Sequence, residues 1–409
     1  MKVLVVTPYL PSPPNTGGRR RMHELIARLS RAHDVSVVSF VDPSGEAAAV
    51  EATGQIAARV VTVPNGASKA TGVAKRLLQL RSMFSGDSVA RLVYRTTAMQ
   101  AAIDELAREV RFDLILVEFA HMAGYTFPSS APVVLDEHNI EYDILLRTSQ
   151  HERGLVRRAF SHLEYLKLRS EEPLAWSRAD GCIFTSDRDR DMAIAAGCDA
   201  PVAVVPNGVD VTEFVPRPTP TGSDIVFVGA DFYPNADALR FYADQVLPAV
   251  RRNVPAARLV VVGGAASVLR DRPRAGVELV GVVDDVRAYL ARAAVVIAPL
   301  RIGGGTRLKI LEAMAMARPV VATSIGAEGI AAVAGRDILI ADDALGLARE
   351  TTRLLTDPDL ARSVGQAGRE LVERRYDWDV VAGDLRRFTR TLLAPRRAYR
   401  LVLGRERAS

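Results

Sequence analysis

Short runs of β-branched and aliphatic residues recur through the first half of the chain, at 2–7, 34–41, 58–63, 113–117, 132–135, 181–184 and 202–205. Each is short, and Gly, Pro, Asn or Asp flanks many of them, so each predicts a strand. Between them lie stretches with helical spacing, at 19–32, 67–110 and 140–178. In the second of these, Leu77, Leu78, Leu80, Met83 and Phe84 supply the apolar faces. Strands alternating with helices over this length predict a parallel sheet covered on both sides. The pattern breaks at 206–223, which is proline-rich and aperiodic and reads as a linker. It restarts with strands at 225–228, 259–262, 277–280, 295–298, 320–322 and 338–340. The expected organisation is two α/β domains, 1–205 and 224–378, joined by that linker. A last helix at 379–394 should return to the first half, and a basic tail follows it within 379–409.

The stretch 294–323 organises the second half as strand, glycine loop, helix and strand. Pro299 and Gly303–Gly304–Gly305 stop the strand, and Thr306 can cap the helix that follows. A glycine loop opening a helix is an anion site, because its N–H groups and the helix dipole both favour negative charge. Arg307 and Lys309 are cations at the end of the helix where the dipole prefers acids, so an external anion is expected there. Glu312 lies three residues beyond Lys309, where its carboxylate can accept from two adjacent hydroxyls such as a ribose diol. Phosphate plus ribose indicates a nucleotide. The alternative is an ordinary strand–helix turn with solvated charges; the added cations at a strand's carboxyl end favour the site.

Similar features recur in the first half. Gly17–Gly18 open the helix at 19–32, followed by Arg19, Arg20 and Arg21, without a dinucleotide fingerprint. His138 and Asn207–Gly208 each follow a predicted strand. A lone His is more often structural, but a strand-end position favours function. The run Asp187 to Asp191 holds two DxD patterns, which either bind a divalent cation or suit the start of a helix capped by Ser186. The second reading is preferred and no metal is expected.

With 409 residues, 48% of them hydrophobic and 25% charged, the chain is globular, with two or three domains by length. Cys182 and Cys198 belong to no CxxC pair, which argues against a disulfide framework or a zinc site. No apolar run is long enough to span a membrane, and residues 1–11 read as a strand rather than a signal peptide, so a cytoplasmic location is expected. The net charge of +5 comes from the tail, where eight arginines and one glutamate follow from Arg386 onward. That tail either touches acidic lipid or nucleic acid or is simply solvated, and solvation is preferred. Basic residues are not interleaved with aromatic ones, so no nucleic-acid partner is expected.

Taken together, these motifs resemble the GT-B glycosyltransferases of family 4, retaining enzymes that use nucleotide sugars. The resemblance rests on VLVVTPYLPSPPNTGGRRRMHEL, DEHNIEYD, PNGVD, VFVGADFYPNADALRFYADQVLP, VELVGVVDDVRAYLARAAVVIAPL and GGGTRLKILEAMAMARPVVAT. DEHNIEYD looks like the subset found among exopolysaccharide and antigen sugar transferases. The resemblance implies two Rossmann-like domains facing an interdomain cleft, with the donor held mainly by the C-terminal one. It assigns Glu312 to the ribose, Arg307 and Lys309 to the diphosphate, and His138 to the donor sugar or its phosphate. Gly17 and Gly18 would approach the phosphates, and the backbone of Gly281, Val282 and Val283 would hold the base. Asn207, Gly208, Gly229, Gly303, Gly304, Gly305 and Thr306 complete the donor set.

Two departures stand out. The family usually has a glutamate eight positions before Glu312, where this chain has Gly304. It often places cations after the first strand of the second domain, where this chain has Gly229 to Asn235 without one. The expected reaction is metal-independent, cofactor-free transfer of a sugar from a nucleoside diphosphate donor to a glycan, lipid-linked or small-molecule acceptor, with retention. A lipid-linked acceptor would make the protein peripheral to the inner membrane face, with acceptor contacts from 65–98 and 139–172. The rivals are an epimerase or hydrolase of the same fold and a non-catalytic nucleotide-sugar binder. Base, sugar, acceptor, pathway and oligomeric state are open at this level.

Overall fold

The computed structural model describes residues 1–128, 130–151, 154–218, 220, 222–270 and 274–394. The basic tail beyond Ala394 lies outside them. The described residues form two compact units: Met1–Pro206 together with 381–394, and Asn207–Val380.

The first unit holds strands β1 (Lys2–Thr7), β2 (Asp34–Val41), β3 (Arg59–Pro64), β4 (Leu114–Glu118), β5 (Val133–Glu137), β6 (Gly181–Phe184) and β7 (Val202–Val204). They pair in parallel in the order β3-β2-β1-β4-β5-β6-β7. Val3, Leu4, Val5 and Val6 are all buried, as are Ile115, Leu116 and Val117, which is why these strands read as continuous apolar runs. The second unit holds β8 (Asp224–Val228), β9 (Arg258–Val262), β10 (Val277–Gly281), β11 (Val295–Ala298), β12 (Val320–Ala322) and β13 (Leu339–Ile340), in the order β10-β9-β8-β11-β12-β13. Both sheets reverse direction of winding once, between β1 and β4 and between β8 and β11. Such switch points are where open parallel sheets leave a crevice at the carboxyl ends of the strands.

The last helix, Trp378–Leu393, packs from Val381 onward with the first unit. Phe388 and Leu392 lie so close over Gly181 that a Cβ there would come within 2.8 Å of both side chains. Within the stretch expected as a linker, residues 207–218 are docked on the second unit: Phe214 is buried in its core, Arg369 donates to Phe214 O at 2.8 Å, and Arg318 donates to Arg217 O at 2.9 Å. Buried guanidinium groups substitute there for a regular hydrogen-bond ladder. The helix Gly72–Met83 does form, but its apolar side is exposed rather than packed inward.

Candidate active site

In the second unit, the loop after β11 sits at the switch point. Gly303 and Gly305 have φ of 122° and 76°, a region that side chains resist, whereas Gly304 between them is not left-handed. This turn delays the helix, which spans Leu308–Ala315. The cap position is therefore Arg307 and no side chain caps the helix, so Thr306 does not have the expected capping role. The Thr306 hydroxyl is instead buried without a hydrogen-bond partner. Arg307 folds back, and its Nη1 donates to Gly304 O. Arg301, earlier in the loop, is held by Asp237 at 2.6 Å and lies over the Phe241 ring.

Lys309 Nζ donates to Asn235 Oδ1 at 2.9 Å and stands 4.7 Å from the centre of the Phe227 ring. Burial, followed by the charge of Arg307, lowers its pKa to about 7, with Glu312 acting in the opposite direction. The stretch after β8, which lacks a cation of its own, thus meets one supplied by the glycine-loop helix. Glu312 lies one turn beyond Lys309 on that helix, partly buried.

Glycines follow four adjacent strands: Gly229 after β8, Gly263–Gly264 after β9, Gly281 at the end of β10 and Gly303–Gly305 after β11. A Cβ on Gly263 would come within 2.3 Å of Gly229 O, and one on Gly264 within 2.8 Å of Asp231 N. The carboxyl edge is therefore built from closely approaching backbone. Sequence reasoning missed Gly263–Gly264 and Asn235, although a Gly-Gly directly after an apolar run was a usable signal. Gly281 has φ of 86°, Val282 is exposed and Val283 packs on the core. Gly208 has a packing reason of its own: a Cβ there would come within 2.8 Å of both the Trp378 ring and Tyr376 O. Asn207 adjoins it at the start of this unit.

In the first unit, the structure brings Gly18 and His138 together. A Cβ on Gly18 would lie 2.5 Å from the Tyr9 hydroxyl and 3.6 Å from His138 Nδ1. Gly17 and Gly18 open the helix Gly17–Ser30, capped by Thr16. Arg21 is the last of the three arginines at this helix start. It lies on the buried side of that helix and grips Asp136, with Nε at 2.9 Å and Nη2 at 2.8 Å, while Nη1 donates to Pro206 O at 3.0 Å. Arg19 lies over the Tyr9 ring and near Glu46.

His138 Nε2 and Glu118 Oε2 are 2.7 Å apart, both groups buried. Burial raises the Glu118 pKa to about 8, against the opposing charge of Arg21. Burial lowers the His138 pKa to about 3, against Asp136. Burial thus disfavours charge on both groups, and with Glu118 protonated it donates to Nε2. That leaves Nδ1–H as the donor on the Gly18 side. The Phe119 ring covers His138, with centroids 3.8 Å apart, and its backbone has φ of 70°, a strained value for this residue. Glu118 and Phe119 carried no motif that sequence reasoning could use; only the parallel register of β4 beside β5 places them next to His138.

Ligand atoms of Glu118, Asp136 and His138 lie within 4.8 Å of one another, a spacing that could suit a metal ion. Arg21 already occupies both oxygens of Asp136 and its charge opposes a cation there. The Asp187–Asp191 acids fit the helix-start reading: Ser186 caps the helix, and Arg190 pairs with Asp187 at 2.9 Å and Asp191 at 2.7 Å. A cavity of about 220 Å3 opens beside Phe119, His121, Tyr125, Glu141, Leu168 and Glu172, with a mostly apolar lining.

The raised Glu118 pKa has a consequence for stability. A carboxyl held protonated in the fold contributes stability that is complete below its ordinary 4.5 and is lost as pH rises through about 8. Thermal unfolding of Glu118→Gln should therefore depend less on pH between these limits than that of the parent. Parallel pH slopes for the two proteins would refute the assignment.

Two parallel α/β units with glycine loops at their carboxyl edges are the architecture of GT-B sugar transferases. Family models agree: residues 15–213 match "Glycosyltransferase Family 4" and residues 222–357 match "Glycosyl transferases group 1". The chain belongs to the family 4 glycosyltransferases of the GT-B type. It is 22% identical to an uncharacterized 44.6 kDa protein in the cps region of Klebsiella pneumoniae, over 92% of this chain and 96% of that one. It is 32% identical to the phosphatidyl-myo-inositol mannosyltransferase of Mycobacterium leprae over 52% of this chain, which corresponds to 59% of that protein's length. Among solved structures it superposes on sucrose-phosphate synthase of Thermosynechococcus elongatus with a TM-score of 0.69 at 18% identity, covering 96% of this chain and 100% of the other. The HepE protein of Anabaena in complex with UDP-glucose gives 0.65 at 16% identity, over 97% of this chain and 100% of the other. At these identities the likeness speaks for the fold. No described helix is long and apolar enough to cross a membrane.

Proposed function

We propose that the chain transfers a glycosyl group from a nucleoside diphosphate sugar to an acceptor hydroxyl, with retention at the anomeric carbon and without a metal. The observation that carries this is the Lys309–Glu312 pair, one helical turn apart on the helix that starts at the switch-point glycine loop of the second sheet. Glu312 accepts from the ribose hydroxyls. Lys309, Arg307 and the helix start face the diphosphate. The bond from the anomeric carbon to phosphate oxygen breaks, a bond to the acceptor oxygen forms on the same face, and the acceptor proton passes to the leaving phosphate. The developing charge is met by fixed cations and N–H dipoles. The backbone of Gly229, Gly281, Val282, Val283 and Gly303–Gly305 forms the surface for the nucleotide, with Gly304 supplying backbone rather than a carboxylate.

In the first unit, His138 Nδ1–H, beside Gly17–Gly18, is the hydrogen-bond donor for a sugar hydroxyl or phosphate oxygen. The apolar cavity at Phe119 and Tyr125 takes part of the acceptor. The mannosyltransferase relative supports a place in glycan, polysaccharide or glycoconjugate biosynthesis.

The test is thermal stabilisation by a panel of nucleotide sugars, followed by transfer assays with the donor that stabilises. A stabilising donor should be turned over in the presence of EDTA, and Glu312→Ala should weaken its binding by about tenfold or more, as expected for lost ribose hydrogen bonds. Undiminished donor binding by that variant would displace the nucleotide from this helix.

A further inference from the structure

The helix Gly72–Met83 is amphipathic in the wrong sense for a core helix. Val73, Leu77, Leu80 and Phe84 follow one another at four- and three-residue steps and so form one stripe. They are 74%, 61%, 49% and 88% exposed. The opposite side is the docked one, where Leu78 and Gln79 are half-buried. Ser82 is buried there, its hydroxyl against Glu164 and accepting from Lys167 Nζ at 2.7 Å. Ser82 ties the end of this helix by hydrogen bonds, and the apolar stripe turns outward.

Charge accompanies the stripe. By helical geometry Arg76 and Arg81 flank it on either side, and both are exposed. The helix Gly72–Met83 carries Lys75, Arg76 and Arg81 and no Asp or Glu. Leu155 and Val156, also highly exposed, begin the helix Leu155–Trp176 on which Ser82 docks, and Arg157 and Arg158 follow them. Apolar side chains that could enter an acyl layer, flanked by arginines at headgroup level, fit an anionic bilayer surface. A soluble protein partner would need acidic groups around an apolar groove. The arginines on both sides of the stripe, with no acid on the helix, favour the lipid.

We infer that the outward stripe of the helix Gly72–Met83 is a docking surface for an anionic lipid bilayer. The surface holds the first unit at a membrane, where an acceptor with a lipid portion would be met, and its membrane binding does not depend on the sugar-transfer reading.

The test is co-sedimentation of the full chain with vesicles of equimolar phosphatidylglycerol and phosphatidylcholine, against pure phosphatidylcholine, with sedimentation equilibrium in parallel. The parent should bind the anionic vesicles preferentially and release them at high salt. Leu77→Ser/Phe84→Ser should lose about tenfold or more in partitioning, as expected for two side chains that no longer bury. Arg76→Gln/Arg81→Gln should lose the preference for anionic lipid. All four positions are exposed, so unchanged melting temperatures should accompany these losses. Undiminished binding by both double variants would assign membrane attachment to the basic tail and overturn the proposal. So would a parent that ignores vesicles but self-associates through a contact broken by Leu77→Ser/Phe84→Ser.

Discussion

Replacing Lys309 with alanine should lower sugar transfer by about two to three orders of magnitude, the usual loss for one fixed group that stabilises a developing anion. Lys309 is partly buried and engages Asn235, and Arg307 is turned back onto Gly304 O, so Lys309 is the better placed of the two for the leaving phosphate. The pH dependence gives an independent check. With its pKa near 7, Lys309 loses its charge in the donor-free protein as pH rises through that value. The kcat/KM for the donor should fall correspondingly, because that ratio reports the free enzyme. Lys309→Arg, charged throughout this range, should flatten the fall even where its geometry lowers the rate. A Lys309→Ala variant with parental rates, or an unchanged pH profile in Lys309→Arg, would remove Lys309 from the chemistry.

Arg21→Ala should destabilise the protein by about 3–5 kcal/mol, the loss typical of breaking a buried ion pair from one side. Arg21 and Asp136 have no exposed side-chain surface, and the arginine satisfies both carboxylate oxygens as well as Pro206 O. Its removal leaves a buried carboxylate beside Glu118 and His138. At roughly 2–4 °C per kcal/mol for a unit of this size, the melting temperature should drop by about 10 °C. Adding Asp136→Asn to Arg21→Ala should restore part of it, since no orphan charge then remains. If Arg21→Ala melts like the parent, the pair is not the anchor of this edge of the sheet.

How much could be read in advance differs between the two units. GGGTRLKILEA marks a candidate site because the contradiction is local: cations stand at a helix start where the dipole disfavours them. The glycines, Lys309 and Glu312 are all within ten residues, so spacing alone places them together. Even here the fine geometry was not legible. The left-handed turns at Gly303 and Gly305 move the helix start past Thr306 and fold Arg307 onto the loop.

In the first unit the informative residues are far apart. His138 was visible as a strand-end histidine, but its partner Glu118 lies twenty positions away and Arg21 far earlier still. No periodicity connects them; the parallel register of β1, β4 and β5 does. The same applies to Arg21, which by sequence belonged to a basic helix start and by packing belongs to the core.

The chain's own pattern therefore determined the strands, their alternation with helices and the switch-point glycine loop, since these follow from local sterics, burial periodicity and the helix dipole. Tertiary structure decided which charges are spent inside the fold and which face outward. It disfavoured charge on the His138–Glu118 pair by burial, engaged Arg21 with Asp136, brought Lys309 to Asn235, and turned the apolar stripe of Gly72–Met83 away from the core. Desolvation and long-range contact set those outcomes, and neither is written in the spacing of residues along a chain.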